Sequence, residues 1–207
     1  MNRAAQLLLM VLACASVHAR AQAPAADEPV AISLAHGSAA EQQTEQRLRA
    51  LMASHDLAPW TITHRVVIDE TEIPHSHPVL TLHARHRHDD ELLLSTYVHE
   101  QLHWFLAAHP HETALAEAAL RERFPKMPVG YPEGSSDEDG NYEHLLVIWL
   151  EYRADQALLG ELKAREVMQF WTHDHYTWLY EKVLADPDAV GELVARYHLN
   201  PLRPAGR

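Results

Sequence analysis

The stretch Asp89-Asp90-Glu91-Leu92-Leu93-Leu94-Ser95-Thr96-Tyr97-Val98-His99-Glu100-Gln101-Leu102-His103-Trp104-Phe105-Leu106-Ala107-Ala108 decides how the rest of the chain is read. Its three leading acids put negative charge where a helix N-terminus favours it, and no Pro or Gly interrupts the run to Ala108. The pattern predicts a helix over 91–108. Within it His99 and His103 stand four residues apart, on one face and one turn from each other, so both imidazoles can reach one Zn²⁺. Glu100 lies off that face and can touch a metal-held water without ligating. Zinc lowers the pKa of the water, the glutamate takes its proton, and the resulting nucleophile attacks a polarised carbonyl. With 17 histidines in 207 residues, an H-E-x-x-H match arises by chance roughly 0.1 times. The helical setting narrows that risk, because desolvating two histidines and a glutamate without a metal costs free energy.

Working outward, helical spacing of Leu48, Leu51 and Met52 predicts a helix from Ser38 to about His55. Residues 60–68 and 79–82 alternate β-branched side chains and are predicted strands, with Pro74 and Pro78 confining the link to a turn or an edge. The strand at 79–82 suits an edge that pairs with an extended peptide. Further helices are predicted at 112–123, at 142–159 (nearly all apolar and ending at Gly160), at 165–185 and at 188–197. Residues 125–140, with three Pro and three Gly, are loop chemistry. The fold class is therefore α+β, mostly α: a small sheet or hairpin on a helical core, in one domain over 38–207.

The N-terminus carries an address. Asn2-Arg3, an apolar run from Ala4 to Ala15, and the small-x-small sites Val17-His18-Ala19 and Ala21-Gln22-Ala23 predict a secretory signal over 1–23. The run is too short for a permanent bilayer span, and no later segment crosses a membrane. Val11-Leu12-Ala13-Cys14 gives an alternative, a lipid anchor through Cys14. Residues 24–37, rich in Ala and Pro, are expected to form a loose leader. The expected location is periplasmic or secreted. With 29 acids against 17 Lys and Arg, the chain lacks the basic clusters that nucleic acid requires.

A zinc site needs a third ligand from a facing helix. Glu151 interrupts the apolar run Leu145-Leu146-Val147-Ile148-Trp149-Leu150, and a carboxylate there is better explained by a metal than by solvation. Asp155, one turn on, would bond the free nitrogen of a ligand histidine. His144 is the alternative third ligand. It sits on the same face as Glu151 but about 10 Å away along the axis, so both cannot hold one ion. The loser would line the substrate cleft.

His99-Glu100-x-x-His103, followed some fifty residues later by Glu151-x-x-x-Asp155, resembles the gluzincin metallopeptidases, of which thermolysin is the best known. Glu151-Tyr152-Arg153-Ala154-Asp155 also resembles the Glu-x-x-Ala-Asp segment of the membrane proteases that process prenylated proteins. The resemblance covers under half of the chain. It implies one zinc on two His and a Glu, Glu100 as general base, and hydrolysis of a peptide or protein substrate. Such a centre wants a donor for the oxyanion, and His144, His173, His175, Tyr176 and Tyr180 are the candidates. A rival from another class is a periplasmic protein that binds or buffers zinc without turnover, suggested by the surplus of histidines. A third is a silent scaffold. His75, His77, His83, His86 and His88 read as solvated loop and strand-end residues, and Asp137-Glu138-Asp139 as a solvated acidic turn without calcium-loop spacing.

Overall fold

The apolar run that begins at Tyr142 becomes the middle of α4 (Glu138–Leu159), the helix on which the others are arranged. Leu145, Leu146, Val147, Ile148 and Leu150 are all buried, so this helix is wrapped on nearly every side. It packs against α2 (Asp90–Ala108), α3 (Pro110–Arg123), α5 (Glu161–Trp171), α6 (Thr177–Ala185) and α7 (Pro187–Arg196). The computed structural model describes residues 29–201. The signal-like segment 1–23, Cys14 and the start of the leader lie outside the described residues.

Helix ends obey local chemistry. Asp89 and Asp137 cap α2 and α4 by accepting from the backbone N–H groups of Leu92 and Gly140. Gly160, at φ 85°, ends α4 in a conformation that costs a glycine little. The predicted single helix at 165–185 is instead two, α5 and α6, with a turn at 172–176. No Pro or Gly marks that break. Thr172 Oγ1 bonds back to the Gln169 carbonyl, Asp174 pairs outside the helix, and Tyr176 takes the left-handed region at φ 49°. Side chains that satisfy the backbone locally, or pair elsewhere, compete with helix continuation.

The sheet lies against α1 (Ala39–Ser54) and α2. Its strands β1 (Ala31–Leu34), β2 (Arg65–Ile68) and β3 (Leu80–Leu82) run parallel in that order, with Val66 opposite Ile32 on one side and Leu80 on the other. Two expectations are corrected by this sheet. The strands form no hairpin, and part of the expected loose leader is β1. The alternation in Val30-Ala31-Ile32-Ser33-Leu34 is short and comes after an Ala/Pro tract, so composition masks it. β3 also lacks a free edge for a peptide at Thr81, whose N–H and carbonyl already bond to His75. No helix among the described residues is long and apolar enough to cross a membrane.

At the start of α1 the chain ties its sheet to its helices through one carboxylate. Ser38 and Glu41 form a capping box. Glu41 also accepts from the N–H groups of His36, Gly37 and Glu70 and from the His36 ring. Burial alone would raise its pKa, but these donors bring it down from 4.5 to about 2. A carboxylate with a depressed folded-state pKa stabilises above its unfolded value and loses that contribution as pH falls through the folded one. Glu41→Gln should therefore lower stability at pH 6, and its deficit should shrink between about pH 4.5 and 2. Urea midpoints measured across that range check this, and a constant deficit would contradict it.

Candidate metal centre

Three imidazoles meet where α2 crosses α4. His99 and His103 project from one face of α2, and His144 enters from the first half of α4. Ring centroids lie 5.2 Å (His99–His103), 5.7 Å (His99–His144) and 4.9 Å (His103–His144) apart. One ligand nitrogen from each ring lies within 4.8 Å of the other two. That is the spacing of three donors that can share one ion.

Each ring has its other side committed. His99 Nδ1 lies 2.8 Å from Glu151 Oε2, His103 Nδ1 2.8 Å from Glu143 Oε1, and His144 Nδ1 2.7 Å from the Gly140 carbonyl. When Nδ1–H donates to these acceptors, every Nε2 keeps its lone pair for a metal, and the acceptor fixes the ring's orientation. Glu151 is itself held by Ser95 Oγ at 2.5 Å and Tyr180 OH at 2.9 Å. Ser95 in turn accepts from Trp171 Nε1 at 3.1 Å. Gly140 allows a close approach, since a Cβ there would meet Ser135 Oγ at 2.4 Å.

The electrostatics suit a cation. Burial, reinforced by charge on the neighbouring rings, lowers the pKa of His99 far below 6.5 and that of His144 to about 3, so both stay neutral. Burial also opposes charge on His103, but the Glu143 hydrogen bond and the nearby carboxylates outweigh it and raise its pKa. Burial pushes Glu100 up to about 7, with Glu151 adding and His103 opposing. Glu100 is 6% exposed, and its carboxylate accepts no hydrogen bond among the described residues. Tyr176 packs on His144 with ring centroids 4.1 Å apart and planes tilted by 41°, and burial with the charges of Glu100 and Glu143 raises its phenol to about 12. It therefore keeps its proton.

The two candidate third positions part company at this crossing. His144 joins His99 and His103. Glu151 stands behind His99, as the orienting carboxylate that was expected of Asp155. The reason is axial: α4 meets α2 with His144 level with the open side of the histidine face, and Glu151 two turns on is level with the back of His99. Asp155, a further turn along, is fully buried with neither oxygen hydrogen-bonded. Glu100, His99 and His103 lie together as expected, with Tyr176 and His175 beside them, whereas His173 is exposed and bonds to the Gln169 carbonyl.

Glu143, Ser95, Trp171 and the Gly140 carbonyl were missed. Ser95 left a signal, as a small polar residue one turn before His99 on an otherwise apolar face. The other grouping of three donors among the described residues is His36, Glu41 and Asp69, where the bonds that Glu41 accepts occupy its oxygens and the N-terminus of α1 disfavours a cation. Asp137 is a helix cap and Asp139 pairs with Arg121. His75, His77, His83, His86 and His88 form no metal grouping among the described residues, and His86, expected to be solvated, is instead buried against Phe170 and Trp171. The chain matches no family model, no curated protein and no solved structure.

Because Glu151 fixes His99, Glu151→Gln should weaken zinc binding by about 10–100-fold. His144→Ala should weaken it further, because it removes a donor. Competition with a chromophoric chelator measures both, and a larger loss in the Glu151 variant would return Glu151 to the ligand set.

Proposed function

We propose that the chain is a single-zinc hydrolase in which His99, His103 and His144 hold the ion and Glu100 is the general base. The observation that carries this reading is the convergence of three imidazoles whose Nδ1 atoms are all committed, beside a buried carboxylate with no hydrogen-bond donor among the described residues. Imidazole donors and no thiolate fit Zn²⁺, and three protein ligands leave a fourth position open, as in catalytic rather than structural sites. Zinc would supply Lewis acidity, activating water and polarising the scissile carbonyl.

The protein's own groups supply the rest. Glu100, adjacent in sequence to the ligand His99, can take the proton of the attacking water and pass it to the leaving group. Tyr176, protonated and packed against His144, offers its phenol O–H to the developing oxyanion. His175 lies beside it, with ring centroids 4.9 Å apart. Peptide or protein is the proposed substrate, by resemblance of the His-Glu-x-x-His helix to metallopeptidases. A third histidine in place of Glu151 departs from the gluzincin ligand set, so the chemistry is carried over and the ligand set is not. The signal-like N-terminus supports export as part of the same reading.

Glu100→Gln keeps the shape of the base and removes its basicity. Zinc should stay bound at one per chain while cleavage of a peptide library falls by a factor on the order of 10² or more. Chelation of the wild-type protein should abolish cleavage, and added zinc should restore it. Loss of zinc from the Gln variant would make Glu100 a ligand or a fold element instead.

A further inference from the structure

The turn at 172–176, which carries His175 and Tyr176 to the centre, is held from both ends. On one side the N–H groups of Thr177 and Trp178 donate to the carbonyls of Pro132 and Glu133. These bonds come directly after Tyr176, whose left-handed backbone is uncommon for a bulky residue and persists only where its surroundings enforce it. On the other side stands Arg85, from the short helical turn between β3 and α2. Its Nη1 and Nη2 donate to Asp174 Oδ1 and Oδ2 at 3.2 and 2.6 Å, and its guanidinium lies 5.7 Å from the Trp171 ring centroid.

Asp174 Oδ2 also lies 2.7 Å from His175 Nδ1. The His175 ring then packs among Trp171, Tyr176 and Tyr180, at 5.1, 4.9 and 5.9 Å between centroids. Arg85, Asp174 and His175 thus form a line of polar contacts running from the surface to the aromatic wall of the histidine cluster. An ion pair as exposed as Arg85–Asp174 contributes little to folding. Its geometry is specific, however: a guanidinium fork fixes both carboxylate oxygens, which a lysine ammonium cannot do in the same way.

We propose that Arg85 is a positioning residue, which through the Asp174 fork fixes the imidazole of His175, and the turn carrying Tyr176, against the metal centre. Its consequence for turnover rests on the hydrolase reading above, but its effect on His175 does not. Burial is the largest influence on His175 and lowers its pKa; Arg85 adds to the lowering, while Asp174 and Glu151 oppose it. His99 and the buried His86 also feel the His175 charge, and Tyr176 and Tyr180 pack against its ring. Removing Arg85 takes away a positive charge and leaves Asp174 to His175 alone. Both changes raise the pKa of the imidazole.

The test uses the zinc-loaded full chain as wild type, Arg85→Gln and Arg85→Lys, with Arg47→Gln as control for the similarly exposed Arg47–Asp90 fork. NMR tracks the His175 ring, assigned by the signal lost in His175→Gln. Arg85→Gln should move the His175 midpoint up by about half a unit or more, Arg85→Lys by less, and Arg47→Gln not at all. Zinc affinity should stay within about twofold throughout, since Arg85 touches no candidate ligand. Where a peptide is cleaved, kcat should fall in Arg85→Gln more than KM rises, with partial recovery in Arg85→Lys. An unmoved midpoint in both Arg85 variants, or an equal shift in the Arg47 control, overturns the proposal. If Arg85→Gln does not fold, the Arg85→Lys midpoint decides alone. Absence of cleavage by the wild type counts against the hydrolase reading and leaves the His175 measurement to judge Arg85.

Discussion

Glu151 has no exposed surface, and it follows the apolar run Leu145-Leu146-Val147-Ile148-Trp149-Leu150 in its helix. An isolated carboxylate there would be costly, and the structure answers the cost with three donors drawn from two other helices: Ser95 and His99 on α2, and Tyr180 on α6. The same bonds that satisfy Glu151 fix His99, and they register α2 and α6 against α4. His144 is then placed by the helix that carries Glu151, two turns earlier. The centre and the core are one construction, because a slip of α4 along α2 would strand the carboxylate and scatter the histidines together.

Sequence reading recovered the parts of this that depend on one element at a time. The α2 pattern shows His99, Glu100 and His103 on a single helix because four-residue spacing is a local property. The burial of Glu151 is visible too, since a lone acid inside an apolar run is tolerated only where buried donors meet it. What the sequence could not display is the axial offset between two helices. His144 and Glu151 both lie on the face of α4 that meets α2, and they differ in the height at which they meet it. That height is set by packing and not by spacing, so the roles of ligand and orienting carboxylate stayed exchangeable. The break at 172–176 escaped for a related reason. Its partners are distant, with Arg85 pairing to Asp174 from 89 residues away in the chain, and no local breaker announces it.

The sheet shows the opposite balance. Its strands are short, at four, four and three residues, and parallel strands need a crossover rather than a tight turn. α1 supplies the crossover between β1 and β2, and Glu41 ties the β1–α1 turn to the end of β2 through the N–H of Glu70. The strands predicted at 60–68 and 79–82 contain β2 and β3, but the first runs too far toward the N-terminus, where Ala58–Trp60 form a helical turn instead. The orientation of the strands was not legible, because alternation carries no direction, and β1 was hidden in a segment whose average composition resembled a linker.

Charge balance ties the buried groups together. The carboxylates that touch the imidazoles of the centre are Glu143 and Glu151, and each accepts from one ring. Ser95 donates its single proton to Glu151, so it has none to give Asp155. Burial and the nearby Glu151 then drive the Asp155 carboxyl well above its ordinary range, toward the neutral acid. Burial also pushes Glu151 up to about 7, with Ser95 and Tyr180 opposing, and Glu100 to a similar value, so Glu143, lowered by its bond to His103, is the carboxylate of the cluster held most firmly as an anion. A permanent charge on Asp155 would raise Glu151 further, because two carboxylates that share a site disfavour each other's ionised form. The apolar setting of Asp155 avoids that by keeping the proton on Asp155 itself, which leaves Glu151 able to accept from Ser95, His99 and Tyr180.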